Sequence, residues 1–261
     1  MENDKTINYD NGYSVVMANK LIKGMTAMSL QESKLLYIVI SQIVFQDKDL
    51  KTYTTTIPAL AGFMGVAPNN LYQSIKPLCR SLKQRVVDVQ IDKNKWKVFS
   101  WIDKAEYDNG KLSLKLSEDI KPYVLELKKH YSQFLLDTLM QFQSFHASRI
   151  FQILVSEMQG KYEIDVTWTV SEIRNNLKIN DNQYKQTRDL IKKTIEVAKN
   201  EINSVEDCHI FMSYTINKAR KKGNPIESVT IHAESKCLKP VPEGDLTEID
   251  DMLQYTFPVL S

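Results

Sequence analysis

Trp168–Asn203, WTVSEIRNNLKINDNQYKQTRDLIKKTIEVAKNEIN, decides the fold. The spacing predicts a short helix over Val170–Asn176. Thr169 or Ser171 can cap it by accepting from a free backbone N–H of the first turn. Lys178-Ile179-Asn180-Asp181-Asn182 is rich in side chains that bond their own backbone and reads as a turn, with Asn180 or Asp181 able to cap the next helix. That second helix places Tyr184, Thr187, Leu190, Ile191, Thr194, Ile195 and Ala198 at the i, i+3, i+4, i+7 spacing. At about 100° per residue these fall on one half of the cylinder. Lys185, Arg188, Asp189, Lys192, Glu196 and Lys199 fall on the other half, flanked by Gln186 and Lys193. A helix-turn-helix that reads DNA needs this division, with one buried face and one face of long donors for base edges and phosphates. An ordinary amphipathic helix with a solvated charged face has the same pattern.

A second copy separates the two readings. Residues 57–86, IPALAGFMGVAPNNLYQSIKPLCRSLKQRV, repeat the layout. Ile57 matches Val170, Leu60 matches Ile173, Met64 matches Leu177 and Val66 matches Ile179. After a one-residue slip, Tyr72 matches Tyr184, Lys76 matches Arg188, Leu78 matches Leu190 and Cys79 matches Ile191. The preceding helices repeat too, Ser33–Val39 aligning with Ser148–Leu154. Order, spacing and polarity agree over three consecutive elements, which points to one module used twice. Pro77 interrupts the first recognition helix and is expected to kink or end it.

The chain has 261 residues, enough for two small domains, and its few glycines and prolines argue against long unstructured stretches. Cys79, Cys208 and Cys237 are far apart, with no CxxC pair, and read as free thiols of a reducing cytoplasm. The polar start MENDKTINYDNG does not resemble a secretory signal, and Leu35–Phe45 is too short to span a bilayer. A net charge of +2 hides its distribution. Residues 1–19 carry −2 and residues 241–261 carry −5, leaving +9 on the body between them. Lys76–Arg85 holds four bases and no acid. A basic body suits a polyanion, because phosphate contacts supply most nonspecific affinity.

Residues 1–13 read as a flexible N-terminus, and Leu21–Ala27 as a short strand or turn. Ser29 with Glu32 forms a capping box that opens a core helix running to Gln46. Thr54–Ile57 is a short strand before the first helix-turn-helix. Val86–Ile91 and Trp96–Ser100 alternate as strands, and Asp108-Asn109-Gly110 is a hairpin turn leading to Leu112, Leu114 and Leu116. Helix-turn-helix followed by a β-hairpin is the winged-helix plan, in which Trp96 and Trp101 are read as sheet core rather than stacking platforms. Ser117–Lys129 is expected as a helix linking the domains, and Phe134–Met140 as strand or helix. Ser144 caps the second core helix, which ends at Gly160, and Glu163–Trp168 is a strand. Asp207–Ile216 and Ser228–Ala233 are strands around KARKKGNP, a wing tip with Lys218, Arg220, Lys221 and Lys222 placed for the phosphate backbone.

The fold class is therefore α+β, two tandem winged-helix domains related by internal duplication. The first is expected over residues 14–130. The second, the main DNA-reading domain, covers 131–234, and 235–261 form an acidic tail. Asn182, Lys185, Gln186, Arg188 and Asp189 are the candidate base readers. Lys192 and Lys193 join the wing residues as candidate phosphate contacts. In the first domain the candidates are Asn69, Asn70, Gln73, Lys76, Arg80 and Lys83.

SLQESKLLYIVI, SFHASRIFQIL and the 168–203 stretch, in this order over roughly residues 14–234, resemble the replication initiators of iteron-containing bacterial plasmids. The resemblance implies binding to direct repeats at a plasmid origin as a monomer, opening of adjacent AT-rich DNA, and recruitment of a host initiator and helicase. It also implies a homodimer that represses its own gene. The other classes are weaker. His130, His146, His209 and His232 form no HxH or HxxxH pair, and there is no GxxxxGK[ST] loop, so neither a nicking enzyme nor a nucleotide hydrolase is expected. No cofactor, metal or membrane partner is expected. The competing reading is a winged-helix transcription regulator, which uses the same modules.

Overall fold

The computed structural model describes residues 4–10, 12–44, 46–125, 127, 129–220 and 223–236. The chain divides between Gln141 and Phe142 into two units.

In the first unit, strands β1 (Asp4–Thr6) and β2 (Ser14–Ala18) precede helix α1 (Asn19–Gly24), so Leu21–Gly24 are helical where a strand or turn was expected. Leu21 and Ile22 are both buried side chains of α1. Helix α2 (Leu30–Ile40) opens on the predicted capping box: Ser29 accepts from the Glu32 N–H at 3.1 Å while the Glu32 carboxylate accepts from the Ser29 N–H. The same carboxylate takes two hydrogen bonds from Arg85, at 3.1 and 3.3 Å. The helix stops short of Gln46. Beyond Ile40 the backbone tightens into i→i+3 bonds, and the Gln42 side chain is pulled out to bond both backbone groups of Asn8.

Strand β3 (Thr52–Thr56), helix α3 (Ile57–Met64) and helix α4 (Pro68–Gln84) form the first helix-turn-helix. Contrary to expectation, α4 runs unbroken through Pro77. Pro77 and Gln73, the residue whose carbonyl loses its donor, both lie on the exposed side, where water can replace the missing bond. Two hairpins come next. Strands β4 (Val86–Asp92) and β5 (Lys95–Ser100) pair with each other, with a single bridge from Val87 to Met25, while β6 (Ile102–Asp108) and β7 (Lys111–Leu116) join the sheet β1-β3-β7-β6. The second hairpin turns on Asn109 and Gly110, both at positive φ, as a type I′ turn requires. Trp101 is fully buried, but Trp96 is 65% exposed on β5, so only one of the two tryptophans is core.

The expected linking helix over Ser117–Lys129 is reduced to a 3-10 turn and helix α5 (Lys121–Val124). The chain then turns back as strand β8 (Tyr131–Leu135), paired antiparallel with β2 from Ser14↔Leu135 to Ala18↔Tyr131, and enters helix α6 (Leu136–Gln141). The expected domain boundary at 130/131 is therefore early, because residues 131–141 complete the first unit through a pairing far apart in sequence.

The second unit opens with helix α7 (Phe145–Met158), whose cap Ser144 accepts from the Ala147 N–H at 3.4 Å. Gln159 and Gly160 both take left-handed φ and end it. Strand β9 (Glu163–Thr169) leads into helix α8 (Val170–Leu177), then α9 (Thr187–Lys193), α10 (Ile195–Ser204), β10 (Ile210–Lys218) and β11 (Ile226–Ser235). The sheet order β10-β11-β9 has the same sense as β6-β7-β3. Duplication extends to single hydrogen bonds. Thr56 and Thr169 cap the two first helices, and Gly65 and Lys178 end them at φ +69 and +54. The next amides close the same bond, Val66 to Ala61 at 3.0 Å and Ile179 to Arg174 at 2.9 Å.

Candidate nucleic-acid interface

The two recognition elements start at different places. With Leu78 matched to Leu190, Thr187 is the counterpart of Ile75, so α9 begins well inside the stretch that α4 spends as helix. Asn182 and Lys185 are therefore loop residues, Gln186 is the residue before the helix, and only Arg188 and Asp189 lie in its first turn. Neither Asn180 nor Asp181 caps the helix. Arg174, on α8, holds the loop instead. Its Nη1 donates to the carbonyls of Asn180 (3.1 Å) and Gln183 (2.9 Å), and its Nη2 to that of Tyr184 (2.7 Å). Tyr184 sits at φ +49, a left-handed conformation that disfavours a bulky side chain. The Lys193 ammonium lies 5.7 Å from the centre of the Tyr184 ring.

The predicted helical faces hold from Thr187 onward. Leu190, Ile191, Thr194, Ile195, Ala198 and Ile202 are buried, while Arg188, Asp189, Lys192 and Lys193 are exposed. Thr194 separates α9 from α10. Its backbone leaves helical values, and its hydroxyl donates to the Leu190 carbonyl at 2.7 Å. Beyond the break, Glu196 accepts from the Tyr214 hydroxyl of β10 and pairs with Lys199 at 3.3 Å. The Tyr214 bond, then Lys199, hold the Glu196 carboxyl below its ordinary range.

The wing grows out of the core sheet. Ile210 and Met212 are buried, and further along the same face of β10 Ile216 is 41% exposed and Lys218 is solvated. The Ala219 N–H to Pro225 carbonyl bond, 2.9 Å, closes the tip. Arg220 is exposed there, while Lys221 and Lys222 lie outside the described residues.

In the first unit Asn69, Gln73, Lys76, Arg80 and Lys83 are exposed at alternating spacings of four and three, which lines them up along α4. Leu71, Ile75, Leu78, Cys79 and Leu82 are buried on the opposite side. Asn70 is exposed but a quarter-turn off the stripe, its carbonyl taken by the Ser74 hydroxyl at 2.8 Å. Lys83 is partly engaged, donating to the Asp103 carbonyl on β6. This unit's wing is not basic: it carries Asp103, Glu106 and Asp108, with Lys104 paired to Glu106 and Lys111 near Asp4. Among the described residues, no cluster of His, Cys, Asp and Glu could hold a metal. No helix there is long and apolar enough to cross a membrane. The exposed groups offer hydrogen-bond donors and positive charge on two helix-turn-helix units.

Residues 14–155 match the family described as Initiator Replication protein, WH1, and residues 169–233 match Initiator Rep protein, WH2. The chain belongs to the replication initiator family. It is 22% identical over 227 residues to a replication initiation protein of Escherichia coli, covering 84% of this chain and 69% of that one. The Pi initiator protein, solved in complex with iteron DNA, superposes with a TM-score of 0.69 at 17% identity, over 87% of this chain and 99% of that one. The fold of this initiator is thus two tandem winged-helix domains of α+β class. Arg174, which holds the loop before α9 through three carbonyls, was missed in the sequence. A lone arginine on a short helix carries no local signal of the three carbonyls it will meet.

Proposed function

We propose that this initiator binds double-stranded DNA at direct repeats of a plasmid origin and thereby starts replication of that plasmid. One observation carries the reading: a helix-turn-helix is built twice, and each copy exposes its recognition element with donors suited to base edges and phosphates. The loop and first turn at Asn182, Lys185, Gln186, Arg188 and Asp189 read bases, as do Asn69, Gln73, Lys76 and Arg80 on α4. Lys192, Lys193, Lys218 and Arg220 neutralise phosphates. Family membership and the iteron DNA held by the Pi initiator support this assignment. The resemblance to iteron initiators extends it to a host initiator and helicase as partners, and to a homodimer repressing its own gene.

A footprint on origin DNA tests the reading. Two modules at about one helical turn each predict an asymmetric protected repeat of roughly 20 base pairs per monomer. Protection of only about 10 base pairs would mean that a single unit binds. A strictly palindromic site requiring two subunits, together with failure of a plasmid carrying the gene and its repeats to replicate, would instead make the protein a transcription regulator.

A further inference from the structure

Three consecutive features of the second unit depart from a standard helix-turn-helix: a recognition helix that starts late, a tyrosine in the left-handed region, and one guanidinium that binds three carbonyls of the same loop. The first unit supplies an internal comparison. There the counterpart of Arg174 is Ala61, and α4 is helical from Pro68. Residues 180–186, matching Pro68–Ser74, are loop.

The carbonyls of Asn180, Gln183 and Tyr184 converge on a single planar group. Carbonyls gathered onto a side chain in this way cannot also line up along an α-helix. A second bond set locks the turn: the Gln183 N–H donates to the Asn180 carbonyl at 2.9 Å, and the Asn180 N–H donates to Gln183 Oε1 at 3.3 Å. Asn182, Lys185 and Gln186 all project from this clamped segment and are exposed.

We infer that Arg174 is the positioning residue of the second unit's DNA-reading surface, and that this unit discriminates sequence with a loop pinned by one guanidinium as well as with a helix face. The inference rests on the proposed binding to origin DNA. Arg174 itself touches no base. It fixes where Asn182, Lys185 and Gln186 meet the groove, and it does so through a planar fork that an ammonium cannot reproduce.

The test uses the full chain and two probes: a duplex enriched from a randomised pool by the wild-type protein, and a shuffled duplex of the same composition. R174K keeps the charge and removes the fork, and R174A removes both. Both variants should lower the ratio of affinities for the two probes by about ten-fold or more, the worth of one good base contact. Affinity for the shuffled duplex, and its salt dependence, should stay within about two-fold of wild type, because no phosphate contact is lost. Amide hydrogen exchange of residues 180–186 in free R174K should quicken while α10 keeps its protection. If R174A does not fold, R174K and its exchange still decide the matter. Wild-type discrimination in R174K, or equal losses on both probes, would overturn the inference, the latter by making Arg174 a phosphate contact. A wild-type chain that enriches no sequence would sink the origin-binding reading instead. The exchange experiment would still judge the clamp, and unchanged protection in R174K would remove it.

Discussion

Arg188 and Lys185 stand free of the core in the first turn of α9 and in the loop before it. An arginine fork or a lysine on guanine is worth about 1–3 kcal/mol of discrimination. Replacing either residue by alanine should cost about that much on the preferred site and relax preference at particular bases. Binding titrations over single-base variants of the site measure it, and equal losses on every variant would reassign both to phosphate. His209 makes a different prediction. It packs edge-on against Phe151, with ring centres 5.5 Å apart, and burial, aided by Lys236, pulls its imidazole down to about 4. Between its ordinary 6.5 and about 4 the unfolded chain binds a proton that the folded one refuses. The stability due to neutral His209 is thus complete above pH 6.5 and lost as pH falls towards 4. Thermal unfolding across that window should show the loss, and His209→Gln should flatten it. A wild-type curve no steeper than the variant's would show that His209 is solvated.

Helix α1 meets β4 at a distance only glycine permits. A Cβ on Gly24 would lie 2.6 Å from the Asp88 carbonyl oxygen and 3.1 Å from Val89 Cγ2. Helix propensity alone favours alanine over glycine by about 1 kcal/mol. The clash is with backbone that β5 holds in register, so it outweighs the propensity gain. Gly24→Ala should destabilise the first unit by about 1–3 kcal/mol, read as a lower denaturation midpoint at unchanged slope. A midpoint that rises would mean that the hairpin yields. The elements at the turns were easier to read. Ser29 and Ser144 cap helices as predicted, and Thr169 is the cap where Thr169 or Ser171 was open, because a cap acts within three residues of itself. Pro77 misled for the complementary reason: its local cost is real, but an exposed helix side and a buried apolar face on the other side absorb it.

The wings of the two units differ in charge. Lys192, Lys193, Lys218 and Arg220 crowd the second recognition helix and wing, whereas the first unit's wing carries Asp103, Glu106 and Asp108. Alanine at any one of those four bases should weaken binding to all sequences alike and reduce the salt slope by roughly one. Substitutions on the first wing should leave the slope unchanged. Affinity for random duplex measured against salt concentration decides both, and an unchanged slope in the four single variants would reduce their charges to solvated decoration.

The sequence by itself determined the duplication, the helix-turn-helix in each copy, the Ser29 and Ser144 caps, the Asn109-Gly110 turn and the basic second wing. All of these are written in contacts a few residues apart, or in a period that one face of a helix imposes. Tertiary structure alone decided where the first unit ends, because β8 completes it by pairing with β2 across more than a hundred residues. It also decided that Trp101, at the bend between β5 and β6, is core while Trp96 is not, since alternation along β5 assigns Trp96 a face but not whether that face is covered. The start of the second recognition helix belongs with these. Local spacing puts Tyr184, Lys185 and Gln186 on the helix, and a guanidinium from the preceding helix, bonded to the Asn180, Gln183 and Tyr184 carbonyls, holds them in a loop.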